Sequence, residues 1–141
     1  MSIFNSSLSL EALTKMSSHT MVEHLGIQFT AIGEDYIEAK MPVDHRTHQP
    51  LGLLHGGASV ALAETLGSVA ATYCVDFSVQ YCVGLEINAN HIKSVKDGFV
   101  YGTARPIHVG KKTQVWEIKI VNDKKELVCV SRITLAVIDR R

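Results

Sequence analysis

An acid stands where an apolar helix has least use for one. In "HQPLGLLHGGASVALAETLGSVAA", residues 48–71, Glu64 sits among small and apolar residues, nine positions after His55-Gly56-Gly57. A helix that starts at Gly56 or Gly57 leaves its first backbone N–H groups free. Together with the positive end of the helix dipole, they form an anion site that needs no side chain. Glycine at that turn lets a ligand approach the backbone closely. Such a site suits the oxyanion that develops on a carbonyl, where losing one donor raises the barrier by about 3 to 4 kcal/mol. A carboxylate beside it can serve as nucleophile or as general base on water. Gln49 and His55 add polar groups in the preceding loop, and Ser68, four residues after Glu64, shares its helix face.

The spacing has a further consequence. Gly57 and Glu64 are seven residues apart, which is two turns, so they share a face but lie about 10 Å apart along the axis. Groups acting on one carbonyl must both lie within about 3 to 4 Å of it. The expectation is a homodimer in which Glu64 of one chain faces the Gly56 region of the other.

The elements that must hold these residues can be read from periodicity. "SLEALTKM" and "TMVEHLG" read as two short surface helices, the second with Thr20 and Glu23 in capping-box register and Gly26 as a stop. In "DYIEAKMPV", Tyr36, Glu38 and Lys40 alternate with Ile37, Ala39 and Met41, the pattern of a half-buried strand. From Gly56 a long helix is apolar on nearly all sides and should be buried. Four strand-like runs follow: "CVGLEINANHI", "FVYGTARPIHV", "TQVWEIKIV" and "LVCVSRITLAVI". Lys96-Asp97-Gly98, Gly110-Lys111-Lys112 and Asn122-Asp123-Lys124 between them read as hairpin turns. The expected class is α+β, a single domain over residues 1–141, with an antiparallel meander curled around one long helix.

Composition narrows the function. Fourteen basic groups balance fourteen acidic ones in 141 residues, which argues against a nucleic-acid partner and against an anionic membrane surface. The stretch from Gly56 to Val75 is long enough to span a bilayer, but its acid, glycines and hydroxyls argue against that. Three cysteines without CxxC spacing indicate neither a disulfide framework nor a zinc site, and the N-terminus lacks a signal-peptide pattern. A cytoplasmic protein is expected. His45 and His48 have metal-compatible spacing but no third ligand nearby, so they read as a turn and no metal is expected.

The ordered set Gln49, His55, Gly56, Glu64 and Ser68 resembles the central motif of the hotdog-fold acyl-CoA thioesterases. Within them it is similar to the branch of bacterial 4-hydroxybenzoyl-CoA thioesterases and 1,4-dihydroxy-2-naphthoyl-CoA hydrolases of menaquinone biosynthesis. The likeness runs from "TMVEHLGI" to "PIHVGKKTQVWEI". It implies a hotdog fold, hydrolysis of an acyl-CoA thioester with an aromatic acyl group favoured and a medium-chain fatty acyl group as another option, and a homodimer or dimer-of-dimers tetramer. No cofactor is implied, CoA being part of the substrate. By the resemblance, Glu64 is the catalytic acid, Gly56 the oxyanion donor, Gln49 and His55 the thioester-positioning residues, and Ser68 a hydroxyl in the family's place for one. Gly84, His91, Ile92, Lys93, Ser94, His108, Val109, Gly110, Lys111, Lys112 and Thr113 are implied to line the path of pantetheine and nucleotide. Lys93, Lys111 and Lys112 are cations suited to phosphates, although lysine lacks the bidentate fork that arginine offers.

Plainer readings stand beside these. Glu64 can be a solvated stripe, His55 a helix cap, Gln49 a loop-backbone partner, and the lysines solvated turn residues. Cys74 and Cys82 read as small buried apolar residues and Trp116, alternating with Ile118 and Ile120, as core. Two other functions fit the same scaffold: an enoyl-thioester hydratase or dehydratase, and a non-catalytic acyl-CoA sensor. The first normally pairs a His with an acid elsewhere in the motif, and the second carries a DNA-binding segment.

Overall fold

The computed structural model describes residues 1–141. Ser9 caps helix α1 (Leu10–Ser17), accepting a hydrogen bond from the Ala12 N–H. Thr20 caps the single turn α2 (Met21–His24) through the Val22 N–H, while the Glu23 carboxylate reaches back to the His19 N–H at 2.6 Å. Gly26, at φ 74°, ends that turn. Leu13 of α1 is fully buried, so this helix is a lid on the core and less of a surface helix than its sequence implied.

Six strands follow the N-terminal helices: β1 (Gln28–Ile32), β2 (Ile37–Pro42), β3 (Gln80–His91), β4 (Phe99–Val109), β5 (Thr113–Asn122) and β6 (Leu127–Asp139). They form one antiparallel sheet in the order β1-β2-β4-β5-β6-β3. The long helix α3 (Gly56–Thr72) lies between β2 and β3 in the chain and packs across the sheet's inner face.

The expected simple meander is corrected in one place. Strand β3 pairs with β6 and not with β4, so Lys96-Asp97-Gly98 is no hairpin turn; the chain crosses the sheet there and β4 enters beside β2. Periodicity gives strand existence but carries no information on pairing partners. The other two turns do join hairpins, β4 to β5 and β5 to β6. Strand β1 was not anticipated. Its burial never alternates cleanly, since all but its first residue are half-buried, and so it lacks the two-residue signal.

Close helix-to-sheet packing fixes α3. Leu62 and Leu66 are fully buried against β4 at Gly102, where an added Cβ would come within 2.7 Å of Leu66 Cδ1. Gly67 lets Ile133 of β6 approach in the same way. Trp116, Ile118 and Ile120 form the centre as expected, all fully buried, and Phe4 stacks on Trp116 at 6.1 Å between centroids. The Trp116 indole N–H donates to Gln114 Oε1, and Gln114 Nε2 donates to the Ala71 carbonyl, which ties β5 to the C-terminal end of α3. No helix is long and apolar enough to cross a membrane.

Candidate active site

The loop before α3 is built to hold its first turn. Buried Thr47 donates its hydroxyl to the Pro42 carbonyl at 2.7 Å, and its own carbonyl accepts the His55 N–H at 2.8 Å. Arg46 holds the Asp44 carboxylate by two side-chain nitrogens, and this bonding lowers the Asp44 pKa to about 2. His48 donates its Nε2–H to the Lys96 carbonyl at 2.9 Å, so it serves the loop. Gln49 uses its Oε1 on the Leu51 N–H, which is the plainer role considered for it, while its Nε2 remains free to donate.

His55 is the N-cap of α3. Its Nδ1 accepts the Gly57 N–H at 2.8 Å, which places the proton of the neutral ring on the exposed Nε2. The Gly56 N–H, by contrast, has no acceptor in the chain. That free donor opens on a cavity of about 320 Å³ lined by Gln49, Leu53, Leu54, Gly56, Ser59, His91, Ile92, Lys93, Ser94 and Val128. His91 lies so close over Gly56 that a Cβ there would be 2.9 Å from its Nε2. The residues that spacing had not indicated, Leu53, Leu54, Ser59 and Val128, supply mostly apolar wall. Ser59, three residues past Gly56, was the only one with a usable positional signal.

Glu64 lies two turns further along α3, half-buried, with its carboxylate over Gly84 of β3. Nothing in the chain donates to it, and burial raises its pKa above the usual glutamate value. Ser68 is half-buried one turn beyond and makes no bond to it. The thiols offer no rival nucleophile: burial pushes half-buried Cys74 up to about 12 and raises Cys82 and Cys129 as well.

The residues expected on the CoA path separate into two groups. His91, Ile92, Lys93 and Ser94 lie at the Gly56 end of α3, where Lys93 is paired with Glu126 at 3.0 Å. His108, Val109, Gly110, Lys111, Lys112 and Thr113 form the β4–β5 hairpin at the opposite end, next to the Gln114–Ala71 bond. There Val109, Gly110, Lys111 and Lys112 border a second cavity of about 340 Å³, and Lys112 lies 3.6 Å from Asp139. A further cavity of about 680 Å³ lies between α1 and β1 and is bordered neither by Glu64 nor by Gly56.

A six-stranded antiparallel sheet packed around one long helix is the hotdog architecture. Residues 51–129 match the family model of the thioesterase superfamily, and the chain belongs to it. It is 52% identical over 136 residues to the 1,4-dihydroxy-2-naphthoyl-CoA hydrolase of Escherichia coli K12, covering 96% of this chain and 99% of that one. It is 51% identical over 135 residues to the proofreading thioesterase EntH of Cronobacter turicensis, covering 96% and 98%. A crystal structure of a Haemophilus influenzae thioesterase superposes with a TM-score of 0.94 at 51% identity, covering 97% and 95%. The chain is thus a thioester hydrolase.

Proposed function

We propose that this protein hydrolyses an aromatic acyl-CoA to the free acid and CoA at sites shared by two chains. The carrying observation is that the free Gly56 N–H and the unpartnered Glu64 carboxylate stand on one helix eight residues apart, about 12 Å at 1.5 Å per residue. That is too far for both to act on one carbonyl.

Strand β3 offers the way to close the gap. It stands at the sheet edge with Tyr81, Val83 and Leu85 exposed, which suits pairing with a second copy. Gly84 marks the position of Glu64 along β3 and His91 the position of Gly56. An antiparallel β3-to-β3 register centred between Ile87 and Asn88 therefore sets Gly84 of each chain opposite His91 of the other. The same two-fold brings the β4–β5 hairpin of one chain towards the Gly56 cavity of the other. Both groups of CoA-path residues then border one channel, with Lys111 free for phosphate.

In this arrangement the thioester oxygen accepts the Gly56 N–H, supported by the helix dipole. Glu64 of the other chain attacks the carbonyl carbon or takes the proton from the water that does. The C–S bond breaks, and the sulfur leaves as thiolate and takes up a proton as CoA. On the nucleophilic route the acyl group is left on Glu64 as an anhydride, which water cleaves to release the acid and restore the carboxylate; on the other route water itself is the entering group, and neither route needs a cofactor. The Escherichia coli relative is a 1,4-dihydroxy-2-naphthoyl-CoA hydrolase, and the residues beside Glu64 on α3 (Ala61, Thr65 and Ser68) are small. Free-thiol release from naphthoyl-, benzoyl- and medium-chain CoA esters tests the assignment. Fastest turnover is expected with an aryl ester. Glu64→Ala releasing thiol as fast as the parent protein overturns it.

A further inference from the structure

Strand β3 changes which of its residues face α3 partway along its length. Near its start the even-numbered residues do: Cys82 Sγ lies 3.6 Å from the Ala71 carbonyl, and Gly84 lies under Glu64. From Ile87 onward the odd-numbered ones do, for Ile87 and Ala89 pack on the core and His91 lies against Gly56. A two-residue period cannot switch in this way without an extra residue. The pairing with β6 shows where it is. Gly84 stands opposite Leu135 and Glu86 opposite Thr134, which leaves Leu85 as a bulge with 62% of its surface exposed.

The residue without a side chain thus falls directly beneath the acid. A Cβ built on Gly84 would lie 2.8 Å from Glu64 Oε1 and 3.8 Å from its Cδ. The first distance is well inside the roughly 3.5 to 4.0 Å at which non-bonded heavy atoms rest. Its neighbour is the free end of a flexible side chain, so a methyl group there would move the carboxylate and leave the backbone in place. The fold tolerates the change while the acid does not.

We propose that Gly84, set in the β3 bulge, is a positioning residue for the Glu64 carboxylate: its missing side chain fixes where the acid rests and how far it reaches. This inference rests on the reading of Glu64 as the reacting acid. A shift of several tenths of an ångström at a reacting group lowers turnover, a 1 Å misplacement by about a hundredfold. Strand pairing at Gly84 runs through backbone groups alone, which alanine also supplies.

The test is Gly84→Ala. The expected result is kcat down about tenfold to a hundredfold with KM within about threefold, an acid limb of the pH profile displaced from the parental one, and an almost unchanged melting transition. In a Glu64→Ala background the same substitution causes no further loss. Parental kcat in folded Gly84→Ala, or an equal loss in both backgrounds, overturns the proposal. If Gly84→Ala melts early, pairing it with Glu64→Asp, whose shorter side chain leaves room for the methyl, restores the transition; failure to restore it also overturns the proposal. The carboxyl ¹³C resonance of Glu64 separates this inference from the functional one, because it reads the acid without turnover. A parent protein that cleaves no thioester refutes the function, whereas a Glu64 resonance unmoved by Gly84→Ala refutes the positioning.

Discussion

Two inactive variants of this protein should make an active one. Glu64→Ala removes the acid. Gly56→Val fills the space under His91 Nε2, where even a Cβ would sit at 2.9 Å, and blocks access to the free N–H. The two positions are about 12 Å apart on α3, while a carbonyl in reaction must lie within about 3 to 4 Å of each group. If each site takes its acid from one chain and its N–H from the other, a hybrid dimer carries one site with both halves intact and one with both damaged. Random reassortment of equal amounts makes about half of all dimers hybrid, by two-fold symmetry. The mixture then regains about a quarter of the parental activity per chain. The assay is free-thiol release after the two variants are unfolded and refolded together, compared with each refolded alone. Activity no greater than the sum of the separate variants would refute the shared site, provided sedimentation shows that dimers have formed.

Other outcomes follow from packing and charge. Leu66→Ala leaves a hole against Gly102 and Leu62 in a fully buried place and should lower stability by about 2 to 5 kcal/mol, read by denaturant unfolding. Because burial raises the Glu64 pKa, kcat/KM should fall on the acid side with a midpoint above the ordinary glutamate value of 4.5, measured across a pH series. The same shift disfavours the ionised acid in the folded chain, so stability is lost as pH rises through the folded-state value. Glu64→Gln should therefore melt higher than the parent at neutral pH, with the difference vanishing below about 4.5. Lys111→Ala should raise KM for CoA esters more than for the same acyl group on a short thiol lacking phosphates, and the gap should narrow as salt is added.

Much of the site was legible because helices write their geometry into spacing. Glu64 in an apolar run and the glycines at the start of α3, with seven residues between Gly56 and Glu64, required only the 1.5 Å rise to set the two about 12 Å apart on one helix. The core of β5 was equally plain, since Trp116, Ile118 and Ile120 repeat at the period of a strand. Gln49 and His55 were less so. Their loop bonds, to the Leu51 and Gly57 N–H groups, depend on loop conformations that no periodicity records.

What the sequence by itself determined was every element but β1, together with the spacing of Glu64 from the first turn of α3, because propensity, capping and periodicity are local. Which strands pair was decided only by the tertiary structure. Moving β3 to the far edge beside β6 gives the sheet an exposed strand, and the Leu85 bulge turns Gly84 and His91 towards the same helix. It also leaves His91 to Ser94 and His108 to Thr113 at opposite ends of α3, although they read as one binding path along the chain. The physical reason is that pairing partners are chosen by burial summed over the whole sheet, and no stretch of sequence carries that sum.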